Sequence, residues 1–289
     1  MTSSVKENVF ATRWPPGHFY SPLPSIDFIQ THRTRLFPSP PRTLPGIELN
    51  ETSQLDLMTD LTALLPQCPI YGATRQPPFR FHHVNRFYEQ RDALLLFCMM
   101  LYLKPSRIVE IGSGFSSLMM LDTNEHCLDG TVSFDFIEPF PERLLQNLSP
   151  QDMARTQIHK MPLQDIPLDI FRTLKAHDIL FVDSSHVAKI GSDVNKLVFE
   201  ILPMLPPGVL IHFHDICYPF EYPERWLLEG RAWNEAYLLR AFLQYNQSFD
   251  IRLFASFLST FHAPVFEQPA WLKHLHGGTG SNLWLEKTQ

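Results

Sequence analysis

Between residues 107 and 285 short β-type runs alternate with segments of helical period, and no other feature of the chain restricts its fold as tightly. The pattern predicts strands over 107–111, 131–137, 157–160, 178–182, 209–213, 251–256 and 282–285. Helices are expected over 88–103, 116–121, 142–148, 193–202 (ending before Pro203) and 235–245. The run DILFV at 178–182 is almost wholly apolar, as in a parallel strand covered on both faces. Strand–helix alternation of this kind predicts an α/β fold, a doubly wound, mostly parallel, seven-stranded sheet.

The first 84 residues read differently and are expected to form a Pro-rich extension packing on a core domain over 85–289. Prolines cluster at 15–16, 22, 24, 38–45 and 77–78, which fixes φ and removes donors. A helix over 50–65, with Asn50 or Thr52 as N-cap, is the exception. Trp14, Phe19, Tyr20, Phe28 and Phe37 argue for an ordered segment draped over the substrate side.

Of the 289 residues 44% are apolar and 19% charged, enough for a sizeable core. A net charge of −6 gives no reason to expect nucleic acid or an anionic membrane as partner. The most apolar window, 93–103, is too short to cross a bilayer and reads as a buried helix. Four cysteines without a CxxC pair, and an N-terminus without a signal-peptide pattern, point to the cytoplasm.

Four sites carry chemistry. Glu110-Ile111-Gly112-Ser113-Gly114 leaves a strand and opens a helix, and its glycines let the backbone approach a ligand at the carboxyl edge of the sheet. Position 117 is Ser, so the third glycine of the dinucleotide fingerprint is missing. Glu110 suits a ligand that carries an ammonium group. Glu138, ending the next strand, can accept both ribose hydroxyls of a nucleoside. Asp183-Ser184-Ser185-His186 follows an apolar strand, and capping of a helix by Ser184 or Ser185 is the alternative reading there. Alternation places His212 and His214 on one face of the strand that ends in Asp215. Acid and imidazole at two neighbouring strand ends suit a divalent metal or general acid–base work, by Asp183, His186, His214 and Asp215.

The segments RIVEIGSGFSS, FIEP, DILFVDSSHVAKIGSDVNKL, LPPGVLIHFHD, ICYPFEYPERW and RAWNEAYLLRAFL resemble class I SAM-dependent methyltransferases of the methyltransferase 24 kind, over about 85–285. The resemblance implies a Rossmann-like fold and SAM held by Glu110, Gly112, Ser113, Gly114 and Glu138, with Asp165 beside the adenine. Related O-methyltransferases hold magnesium at the positions of Asp183 and Asp215. His214 departs from their pattern and would suit Mn, Fe or Zn better, in a metal set of Asp183, His214 and Asp215. The expected reaction is O-methylation of a small metabolite or sugar hydroxyl, metal-assisted or with histidine as base. An N-methyltransferase, a peptide side-chain methyltransferase and a noncatalytic SAM- or nucleotide-binding module stand as alternatives. Tyr218, Phe220, Tyr222, Trp226 and Trp233 are expected at a small-molecule, glycan or peptide acceptor, and a homo-oligomer is compatible with the chain.

Overall fold

A computed structural model describes residues 13–274 and 280–289, and its strands form one sheet in the order β3-β2-β1-β4-β5-β7-β6. These are β1 (Arg107–Ile111), β2 (Ser133–Ile137), β3 (Thr156–His159), β4 (Ile179–Val182), β5 (Leu210–His214), β6 (Phe249–Phe254) and β7 (Asn282–Lys287). The first five run parallel, while β7 is antiparallel to both β5 and β6. Parallel neighbours require crossovers, and the helices that supply them cover the sheet, so every residue of β4 and β5 is buried. The fold is the expected Rossmann-like α/β sheet. Strand order reverses at β1, with β2 on one side and β4 on the other, which opens a crevice at their carboxyl ends.

The helices flanking the sheet include α1 (Glu51–Leu64), α2 (Gln90–Leu103), α3 (Phe115–Cys127), α4 (Glu142–Leu145), α5 (Asp193–Lys196) and α6 (Glu235–Leu243). Helix α3 outruns its predicted end because Asp122, Thr123 and Asn124, which break the apolar pattern, are buried and bonded. Asp122 accepts the backbone N–H groups of Arg80 and Phe81 at 2.9 Å each, and Asn124 holds Val132. The expected stop before Pro203 also fails. After α5 the chain widens into a π turn at Leu197–Ile201, and Pro203 lies in the last turn, Leu202–Met204. A π turn leaves a carbonyl without its usual donor, which is the bond a proline cannot make.

The Pro-rich segment enters the core from Leu44 onward: Leu44, Ile47, Leu49, Leu57, Met58 and Leu61 are buried with the sheet residues. Gln54 in α1 accepts the backbone N–H of Phe254 at 2.8 Å. The Arg80 guanidinium pairs with Asp122 at 2.9 Å and Asp152 at 2.6 Å. Asn50 precedes α1 in a left-handed conformation without a side-chain cap bond, and Thr52 lies inside the helix, so neither acts as the expected N-cap. Among the described residues no helix is long and apolar enough to cross a membrane. Residues 1–12 of the extension lie outside the described residues.

Candidate functional site

The tips of β1, β2 and β4 meet at a cleft of about 440 Å³ whose walls include Gly112, Glu138, Phe140, Leu163, Gln164 and Asp183. This volume is within the range of small-ligand sites. Gly112 is held by its neighbours before any ligand arrives. Its φ is +78°, and a Cβ there would sit 1.9 Å from the Asp183 carbonyl oxygen. Glycine is therefore required twice, for the left-handed backbone and for the space. The Gly112 N–H donates to Ile137 at 2.9 Å, and the Asp183 N–H donates to Ile111 at 2.8 Å. Gly114 is extended and caps α3, and its N–H donates to the Ser117 hydroxyl at 2.9 Å.

Glu138 reaches across the crevice floor. It accepts the Ser113 N–H at 3.2 Å and the Phe140 N–H at 2.8 Å, so its carboxylate is oriented while still lining the cleft. Glu110 does not line the cleft. It is fully buried beneath the loop, where it accepts the hydroxyls of Ser116 at 2.6 Å and Ser117 at 2.5 Å. Burial pushes its carboxyl up to about 8, against the pull of those hydroxyls. In this structure Glu110 faces the first turn of α3 and braces the loop through Ser116 and Ser117. Asp165 is exposed at the end of the turn Leu163–Asp165; Leu163 and Gln164 line the cleft in its place.

The β4 tip carries a three-residue chain that the sequence showed only in part. His186 lies between Asp183, with Nε2 3.3 Å from Oδ1, and Glu235, with Nδ1 2.8 Å from Oε2. Burial opposes its charge, but hydrogen bonds to both carboxylates outweigh this and push the imidazole up to about 10. His186 is therefore an imidazolium at neutral pH and not a free proton acceptor. Burial also acts against the Asp183 charge, yet His186, His214 and Arg143 hold that carboxyl below the ordinary range. The Ser184 hydroxyl donates to the other Glu235 oxygen at 2.9 Å. Neither Ser184 nor Ser185 caps a helix; α5 is capped by Ser192, and Ser185 binds Asp193. Glu235 opens α6, where a sequence reader sees only a helix-start acid; its partner lies 49 residues upstream.

The β5 tip is closed. His212 stacks on Phe181 at 4.0 Å and meets Trp284 at 4.7 Å, and burial keeps it neutral, as a core ring. His214 is buried beside Tyr88, with Nε2 3.5 Å from Asp215 Oδ1. Burial lowers its pKa, but Asp215, Asp183 and Asp92 outweigh this and raise it. Asp215, itself at φ +56°, accepts the Ser281 hydroxyl at 2.9 Å. The Ser281 N–H in turn donates to Asp92 at 3.0 Å, and the Asn282 amide donates to the same oxygen. Burial pushes Asp92 up to about 6.

The expected metal set of Asp183, His214 and Asp215 does not converge. Asp183 lies against His186, Asp215 accepts the Ser281 hydroxyl, and His214 packs on Tyr88. Among the described residues no three His, Cys, Asp or Glu side chains group closely enough to hold an ion.

A second cavity, of about 550 Å³, lies between the Pro-rich segment (His18, Phe19, Phe28) and Leu227, Trp233 and Tyr237. Trp233 also packs on His186, with ring centroids 4.3 Å apart. Of the five aromatics expected at an acceptor, Trp233 alone lines this cavity; Tyr218, Phe220, Tyr222 and Trp226 are buried in the core.

The family model described as a methyltransferase domain, methyltransferase 24, matches residues 109–216. An uncharacterised protein of Archaeoglobus fulgidus is 31% identical over 169 residues, which span 57% of this chain and 76% of that protein. Among solved structures, the O-methyltransferase TomG of Streptomyces achromogenes, involved in tomaymycin synthesis and bound to SAM, is 14% identical, with 91% of this chain and 96% of that one covered and a TM-score of 0.43. The SAH-bound methyltransferase PaMTH1 of Podospora anserina is 14% identical, with 92% and 98% covered and a TM-score of 0.41.

Proposed function

The chain belongs to the class I SAM-dependent methyltransferases, in the methyltransferase 24 family, and on that premise we propose that it methylates a hydroxyl of a small acceptor. Bound S-adenosylmethionine supplies a methyl group already activated on a sulfonium. The protein must align an oxygen with that methyl and accept the proton the oxygen loses. The observation that carries the proposal is Asp183, an ionised carboxylate that lines the cleft and is fixed by the His186–Glu235 pair.

Glu138 binds the ribose hydroxyls in this reading, with the adenine between Phe140 and Leu163. Asp183 accepts the acceptor's O–H hydrogen bond and takes the proton as the new C–O bond forms and the methyl's C–S bond breaks, leaving neutral S-adenosylhomocysteine. Its low basicity favours oxygen over nitrogen. A hydroxyl becomes strongly acidic while it is being alkylated, whereas an ammonium must lose its proton first and needs a stronger base. The apolar cavity at Trp233 is offered as the acceptor's resting place, on the side covered by the Pro-rich segment. The donor arrangement gives no support for metal assistance, and no step depends on it.

The test is transfer of labelled methyl from SAM to a panel of phenols, sugars and amines, run with and without chelator. Label in base-stable ethers at an unchanged rate in chelator is expected. Label confined to amines would overturn the proposal, and activity abolished by chelator and restored by a divalent ion would overturn its metal-free form.

A further inference from the structure

The cofactor cleft is lined by carboxylates, and that poses an electrostatic problem. Glu138, Asp183 and Asp193 all face it, while the amino-acid tail of S-adenosylmethionine brings another carboxylate. A carboxylate entering such a site needs a cation. If Glu138 takes the ribose, the tail extends away from Phe140 and Leu163, toward Gly112 and Gly114.

Arg143, in α4, stands over that end. A Cβ on Gly114 would lie 3.6 Å from its Cδ and 3.9 Å from one guanidinium nitrogen, ordinary contact distances that place the side chain directly beside the loop. The guanidinium carbon is 3.6 Å from the ring centroid of Phe87, a cation–π contact that holds the head group in place. Among the described residues Arg143 forms no ion pair, and its charge is felt at Asp183 across the cleft. Lys189, a cation in the cleft wall itself, belongs to the opposite end. Its loop is tied to the adenine side by the Gln164 amide, which donates to Gly191 at 2.7 Å.

We infer that Arg143, steadied on Phe87 above Gly114, binds the carboxylate of the cofactor's amino-acid tail. The inference rests on the SAM reading and concerns affinity, so it can be tested without an acceptor. The two ligands are S-adenosylhomocysteine and 5′-methylthioadenosine, which share the nucleoside thioether but differ in the amino-acid tail.

Calorimetric titration of Arg143→Gln should show S-adenosylhomocysteine weakened about tenfold or more, as for loss of a charge-assisted hydrogen bond. Methylthioadenosine should stay within about twofold of wild type, which also reports an intact pocket. Arg143→Lys should recover part of the loss. Equal weakening of both ligands, or of neither, would overturn the assignment, as would the selective loss appearing in Lys189→Gln instead. Should Arg143→Gln fail to fold, wild-type protein still decides. Added salt must weaken the homocysteine ligand more than methylthioadenosine, and parallel salt slopes would overturn the assignment. Wild-type protein that bound neither ligand would defeat the SAM reading itself, and this inference with it.

Discussion

The tips of β4 and β5 look alike as sequence, each an apolar strand delivering an acid and a histidine, yet they do different work. At β4, Asp183 lines the cleft and its histidine is charged and anchored by Glu235. At β5, Asp215 is turned toward Ser281, and the network runs on into Asp92 at the start of α2. The β5 acid, through Ser281, joins the start of β7, a strand inside the sheet, to Asp92 of α2. Spacing cannot tell these cases apart. The difference lies in which residues come back to meet each tip: Glu235, 49 positions after His186, and Ser281, 66 positions after Asp215.

The sharpest test of this contrast is activity. Asp183→Asn should reduce methyl transfer ~100-fold or more while S-adenosylhomocysteine affinity changes less than about twofold, because it removes the proton acceptor and keeps the shape. Should Asp215→Asn cost as much turnover with no loss of thermal stability, the division of labour between the tips is wrong.

The second effect is on stability. Asp92→Ala strips the partner from the Ser281 N–H and the Asn282 amide inside the core, which should cost about 2–3 kcal/mol in denaturant unfolding. An unchanged midpoint would show that the β5 network is not a structural tie.

The smallest effect is a pH slope at the third acid, Glu110. Its folded carboxyl is raised to about 8 from an ordinary value of 4.5, so the folded state binds the extra proton. Stability from this group is fully present below about 4.5 and is lost as pH rises through 8. Glu110→Gln, which keeps the hydrogen-bonding shape without the charge, should flatten the fall in melting temperature that runs from about pH 4.5 to about pH 8. An unaltered slope would place the titration elsewhere.

Much of the fold was legible because burial on both faces makes a parallel strand read as an uninterrupted apolar run. That holds for β4; the polar residues within β1, β2, β3 and β5 leave those strands legible through their alternation with helical segments. The cofactor loop was legible too, since only glycine fits at Gly112. What could not be read was the direction each acid faces. Glu110 looks ready for a ligand's ammonium until Ser116 and Ser117 fold back over it. Glu235 looks like an ordinary first-turn acid until α6 is docked against β4. Asp122 breaks a helical pattern because its partner, Arg80, comes from the Pro-rich segment.

The closeness of Gly112 to the Asp183 carbonyl has a mechanical side. With one backbone bond tying β1 to β2 and another tying it to β4, and no slack between glycine and carbonyl, the glycine loop and Asp183, the proposed donor and acceptor sides of the site, share one rigid frame. The enzyme can thus set the distance between its two reacting partners during folding, long before either arrives, and a side chain added at that glycine would detune the gap rather than merely block a pocket.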